Sequence, residues 1–237
     1  NFAYMFSWSN YYAPRAVYRL LESGVRPKFA NEPITIDTAN GRINLDRGAI
    51  LVPLGWQGGN LIDNEIHDLL TIIAREDGIE VHAINSGHTP SIGMDLGSPN
   101  FTNITIPKIL LLVGDGITAY DAGEVWHQLD ARMNMPVHMY DKRQIASLDL
   151  NEYTHLILVG GSHADLTSRT DQINSWVRSG GTFVGIRQGA QWAHDTILYR
   201  GSDANEQDQD SEPERFDYAN KDGIEAEGII GGAIFEG

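Results

Sequence analysis

The sequence predicts an α/β protein whose second half is built on a parallel sheet, and three observations carry that expectation. From Pro107 onward, short apolar runs alternate with helix-like runs, the spacing of a parallel sheet with helices on both faces. Residues 109–113, 156–159 and 182–186 are apolar on both faces, as neighbouring central strands of such a sheet are. The last of them breaks sharply at Arg187-Gln188-Gly189 into a helix-like run over 190–198. A strand that turns abruptly into a helix lifts one side chain over the C-terminal edge of the sheet and aims the helix N-terminus at it.

Each element follows in order. Residues 2–6 read as a strand and 7–12 as a polar-aromatic loop. Pro14 suits the first turn of a helix with Val17, Leu20 and Leu21 on its buried stripe, and Gly24 closes it. Residues 26–30, 34–36 and 43–45 read as strands, the last two joined by Asn40-Gly41, a hairpin signal. Residues 49–53 form a buried strand that ends at Gly55 and Gly58-Gly59. Ile62, Ile66, Leu69, Leu70 and Ile73 fall at helical spacing over 61–77, Gly78 stops that helix, and 79–84 alternates like a strand. This half has a cruder βαβ pattern and is expected to be a smaller α/β subdomain over 1–100. Residues 85–105, rich in Gly, Ser, Pro, Asn and Thr, read as the connector to a second domain over 106–237. There the strand 109–113 is followed by Gly114-Asp115-Gly116, a helix over 119–132, strands at 137–140 and 156–159, and a helix over 170–179 that leads to the elbow. Residues 201–222 carry seven acidic residues from Asp203 to Asp217 with few aliphatics and read as a solvated loop. The chain starts without a methionine inside one apolar segment and stops inside another, 231–237, so it is expected to be a piece of a longer polypeptide.

Composition removes several classes of function. A formal charge of −15, from 32 acidic and 17 basic residues, opposes general electrostatic binding to nucleic acid or to an anionic membrane. The absence of cysteine rules out disulfides, thiolate metal sites and thiol nucleophiles. No apolar run approaches the roughly 18 residues that a membrane span needs.

The elbow itself, Gly185-Ile186-Arg187-Gln188-Gly189-Ala190-Gln191, resembles the glutaminase elbow of class I glutamine amidotransferases, G-I-C-x-G-x-Q, with Arg187 where the cysteine stands. The run 156–159 followed by Gly160-Gly161 resembles the preceding strand and glycine pair of that fold. The ordered set of residues 108–116, 120–130, Asn134-Met135-Pro136, the glycine pair and the elbow is similar to the amidotransferase-like C-terminal region of large bacterial zinc carboxypeptidases of the carboxypeptidase A type. Residues 14–97 resemble the segment that precedes it. The resemblance implies a flavodoxin-like sheet, a zinc-bearing peptidase domain upstream in the same polypeptide, and a periplasmic or secreted parent.

Chemistry at the elbow is constrained by what Arg187 is. A guanidinium is permanently protonated and cannot attack a carbonyl, so thiol-type glutaminase chemistry is excluded. The zinc signature of the parent family, His-x-x-Glu, does not occur among the eight histidines, and Glu124-x-x-His127 lacks a third ligand at recognisable spacing. No catalytic residue, metal or cofactor is therefore expected in this chain. The candidate cleft comprises Arg187, Gln188, Gly189 and Gln191 of the elbow, Gly160, Gly161 and Ser162 after the third strand, and Gly114 and Asp115 after the first. Arg187 is expected to reach an acidic partner, Asp115 or Glu124, or to offer its donor fork to a small carboxylate or peptide. Ser162-His163 makes a poor dyad, because adjacent residues at a strand end point apart. Three readings stay open: a non-catalytic accessory domain, a hydrolase with an unrecognised Ser or carboxylate nucleophile, and a structural assembly module.

Overall fold

A computed structural model describes residues 1–57, 63–198 and the strand 233–236. The chain divides into two compact units, residues 1–106 with 131–135, and residues 107–130 with 136–237.

The first unit comprises β1 (Ala3–Phe6), α1 (Ala13–Glu22), β2 (Lys28–Ala30), β3 (Ile34–Thr38), β4 (Gly41–Leu45), β5 (Ile50–Pro53), α2 (Asp63–Asp77), β6 (His82–Ile84) and β7 (Phe101–Asn103). Its sheet runs β6-β1-β5-β2-β7, and every pairing in it is antiparallel. That corrects the βαβ expectation: the helices alternate with strands in sequence, yet no crossover joins parallel neighbours. Residues 85–105 are likewise more than a connector, because β7 pairs with β2 inside this sheet. The alternation in β1 sets the layering. Tyr4 and Phe6 pack with Val17 and Leu20 of α1 and Ile66, Leu70 and Ile73 of α2. Ala3 and Met5 face the other way, onto Ile34 and Ile36 of the β3–β4 hairpin and onto Met94 and Leu96. The hairpin turns at Asn40-Gly41 as its sequence predicts, with Gly41 at φ 115°.

In the second unit come β8 (Ile109–Val113), α3 (Ala119–Trp126), β9 (Val137–Asp141), β10 (His155–Leu158), α4 (Thr170–Arg178), β11 (Thr182–Gly185), α5 (Gln188–Ala193) and β12 (Ala233–Glu236). The order is β12-β11-β10-β8-β9, with β9, β8, β10 and β11 parallel and β12 antiparallel against β11. The three doubly apolar runs are thus interior neighbours, as expected. Leu110, Leu112, Leu156, Leu158 and Phe183 form one face beneath Ile173, Trp176 and Val177 of α4 and Trp192 of α5. Leu111 and Ile157 are buried on the opposite face. Two predicted helices are shorter than their periodicity suggested. α3 and α5 each give way to a wider π-type turn, over 127–132 and 194–198. Gly58-Gly59, residues 61–62 of the 61–77 helix, the acidic loop 201–222 and Gly231-Gly232 lie outside the described residues.

Candidate functional site

The sharp strand-to-helix turn expected at Arg187 is present. Ile186 N–H donates to Leu158 O at 2.9 Å and carries the parallel ladder to the end of β11, where Arg187 turns the chain with φ 56° and ψ −122°. Positive φ is strained for a residue with a Cβ and is retained only where the surroundings enforce it. Two glycines do the enforcing. A Cβ on Gly189 would lie 2.0 Å from Leu158 O, and one on Gly185 would lie 2.6 Å from the Ala190 Cα. α5 therefore sits directly on β10, and Ala190 N–H closes onto Arg187 O at 3.0 Å.

Two loops at the C-terminal edge are stitched together beside the elbow. Thr118 N–H donates to Gly160 O and Ser162 N–H to Gly116 O, each at 2.8 Å, and Ile117 bridges Gly161. Gly161, at φ 134°, has no room for a Cβ, which would meet Gly116 O at 2.2 Å. Lys142 locks this arrangement from below. Its side chain is only 4% exposed, and Nζ donates to Ser162 O at 2.6 Å and to Asp165 Oδ1 at 2.9 Å.

Arg187 does find an acidic partner, but it is Asp121, not Asp115 or Glu124. Nη1 lies 3.3 Å from Asp121 Oδ1; the arginine side chain is 59% exposed and the aspartate 11%. Asp121 stands in the first turn of α3, which the stitched loops hold over the glycine pair. Its Oδ2 is buried without a hydrogen-bond partner and packs against Gly160, where a Cβ would meet it at 2.2 Å and Gln188 Oε1 at 2.9 Å. Asp115 and Glu124 are exposed. Gly114 packs instead on Asp141, whose carboxyl is held down at about 2 chiefly by hydrogen bonds from Arg143. Gln191 turns along α5 to Asp195 Oδ1, at 2.9 Å, and away from the cleft. The structure thus gathers Arg187, Gln188, Gly189, Gly160 and Asp121 at one point and leaves Asp115 and Gln191 outside it.

Ser162 and His163 do not form a dyad. Ser162 is exposed, whereas His163 is buried and its Nε2–H donates to Val159 O at 2.9 Å, with Nδ1 enclosed and unpartnered. Burial is the main cause that pushes the His163 imidazole below its ordinary 6.5. The unfolded chain then takes up the proton first, so stability is lost as pH falls from 6.5 toward the lower folded value. Melting temperatures between pH 7 and pH 5 should fall for the native chain, and His163→Leu should flatten that slope even if it melts lower throughout. An unchanged slope in the variant would assign the acid sensitivity elsewhere.

Glu124 and His127 fall on α3 and the π-type turn after it, and no group of three or more His, Asp or Glu converges as a metal site among the described residues. No helix among the described residues is long and apolar enough to cross a membrane. Comparison with protein-family models, with curated proteins and with solved structures finds no match for this chain.

Proposed function

We propose that this chain is a non-catalytic, amidotransferase-like accessory domain of a zinc carboxypeptidase, and that Arg187 holds a small carboxylate where the nucleophile would stand. The strand order of the parallel part, second-first-third-fourth in sequence, supports a flavodoxin-like sheet. The observation that carries the reading is the backbone of Arg187. A strained elbow persists around a side chain that cannot attack, and strain is retained at sites that use it. Among the described residues, only Nη1 of the guanidinium has a partner, through one long contact, and the side chain is 59% exposed, which leaves its other donors open to a ligand. Ligands of open sheets enter at this edge. The upstream peptidase domain would carry the zinc, in a periplasmic or secreted parent, and would be the partner of this domain.

The test is carboxylate binding at constant ionic strength. Acetate and succinate should raise the melting temperature relative to chloride, and Arg187→Gln should abolish the shift. Asp121→Asn should strengthen binding about fivefold, because the internal carboxylate competes for the same donors with the ~1 kcal/mol of a part-exposed pair. Equal shifts with acetate and chloride, or a shift that survives Arg187→Gln, would end the reading. A longer reading frame without an upstream His-x-x-Glu motif would end its peptidase half.

A further inference from the structure

We propose that His163 is an acid-sensitive latch, whose protonation releases residues 160–165 and opens the C-terminal edge of the parallel sheet while the sheet stays folded. This inference rests on the loop that carries His163 and stands apart from the carboxylate reading.

The loop is clamped at one point and hinged on both sides. Its stitches to the loop after β8 all fall just before His163, on Gly160 O, Gly161 and Ser162 N–H. The His163 ring reaches back past them to the end of β10, where Nε2–H donates to Val159 O at 2.9 Å. That bond closes residues 159–163 on themselves and fixes the stitches inside the closed segment. Before the clamp lies the glycine pair, with Gly161 at φ 134°. After it comes a 3₁₀ turn, Ala164–Arg169, which the His163 side chain does not cap. A few small or element-terminal residues of this kind absorb the rotation when a segment swings.

The clamp holds a neutral ring only. His163 is buried with Nε2–H engaged, so a second proton must go to Nδ1, which is enclosed and meets no acceptor. A buried cation with an unmatched N–H is driven toward water. Besides burial and the Val159 bond, two charged side chains act on the ring. Lys142, in the turn after β9, sets its Nζ 2.6 Å from Ser162 O, the carbonyl next to His163, and repels an added charge. Asp165 attracts that charge, and its side chain, 46% exposed, stands at the surface. Swinging outward takes the imidazolium away from Lys142 and into water beside Asp165. The switch thus has two arrangements, a neutral ring on Val159 O and a charged ring outside. In the second, Gly160 O lets go of Thr118 N–H, and the first turn of α3 no longer holds Asp121 on Arg187.

The test is native-state hydrogen exchange of the purified chain, read at single amides. Thr118 and Ser162 N–H, which make the stitches, should exchange through an opening that low urea barely affects, because little surface is exposed in it. Ile186 N–H, bonded to Leu158 O in the parallel ladder, should exchange only through an unfolding that urea promotes. Between pH 7 and pH 5.5 the protection of the two stitch amides, corrected for the intrinsic exchange rate, should fall about tenfold, as uptake of one proton by the released ring supplies. His163→Gln keeps an N–H for Val159 O and does not titrate, so the protection of its stitch amides should not change with pH. If Thr118 and Ser162 share the urea dependence of Ile186, no local opening exists and the proposal is overturned. That comparison is made on the native chain and stands even if the variant does not fold. A tenfold fall that His163→Gln retains overturns it equally, as does protection that stays constant with pH in the native chain.

Discussion

Asp77→Ala is expected to lower the unfolding free energy by about 3 kcal/mol, at the lower end of the range for breaking a buried ion pair. The Asp77 carboxylate is fully buried at the C-terminal end of α2, where the helix dipole disfavours negative charge. Two arginines of α1 compensate for both penalties. Arg15 Nε donates to Oδ1 at 2.7 Å, and Arg19 Nη1 lies 3.3 Å from Oδ2. Removing the carboxylate leaves two cations that each keep about a fifth of their surface in water, which moderates the loss. Urea denaturation should show a lower midpoint with the slope retained. Arg19→Ala alone should cost less, since Arg15 still pairs with Asp77. An Asp77→Ala loss below about 1 kcal/mol would place this triad among surface pairs of little consequence.

That triad was not legible in the sequence, whereas the strands around it were, and the reason is physical. Burial on both faces is written into composition, so 109–113, 156–159 and 182–186 declare themselves as central strands. Pairing direction is not written there. The first unit alternates helix and strand much as the second does, yet its strands pair antiparallel, because β1 and β5 find each other across 43 intervening residues that periodicity does not read. Charged partners are hidden in the same way. Asp121 has no local mark that distinguishes it from Glu124, and it reaches Arg187 only because Thr118 N–H and Gly160 O fix the first turn of α3 over the glycine pair. Lys142 sits in a Lys-Arg pair that reads as solvated surface, and only its contacts with Ser162 O and Asp165 reveal a buried lock. The elbow was legible in advance because its glycines are local requirements: each is fixed by a backbone that passes too close for a side chain.

Gly189→Ala tests that requirement most directly and should be the most damaging single methyl addition in the second unit. The added Cβ would meet Leu158 O at 2.0 Å, Leu158 C at 2.6 Å and Val159 O at 3.0 Å. All three are backbone atoms of β10 or its end, so no side chain can swing aside, and α5 must lift off the sheet. Overpacking of this kind costs about 3 kcal/mol or more. The displacement also moves Arg187, so carboxylate-induced stabilisation should vanish together with the stability. Gly123→Ala is the matching control: a Cβ there meets nothing within 4 Å. It lies inside α3, where alanine should be neutral or stabilise by up to about 1 kcal/mol. Arg187→Gly and Arg187→Ala separate backbone strain from side-chain loss at the same turn. Both delete the pair with Asp121, but only glycine adopts φ 56° without penalty. Arg187→Gly should therefore be the more stable of the two by about 1 kcal/mol, reversing the usual order of these residues. If Gly189→Ala melts within a degree or two of the native chain, about what 0.5 kcal/mol would produce, α5 is not seated on β10 as described. The enforced turn that carries the functional reading would then be lost with it.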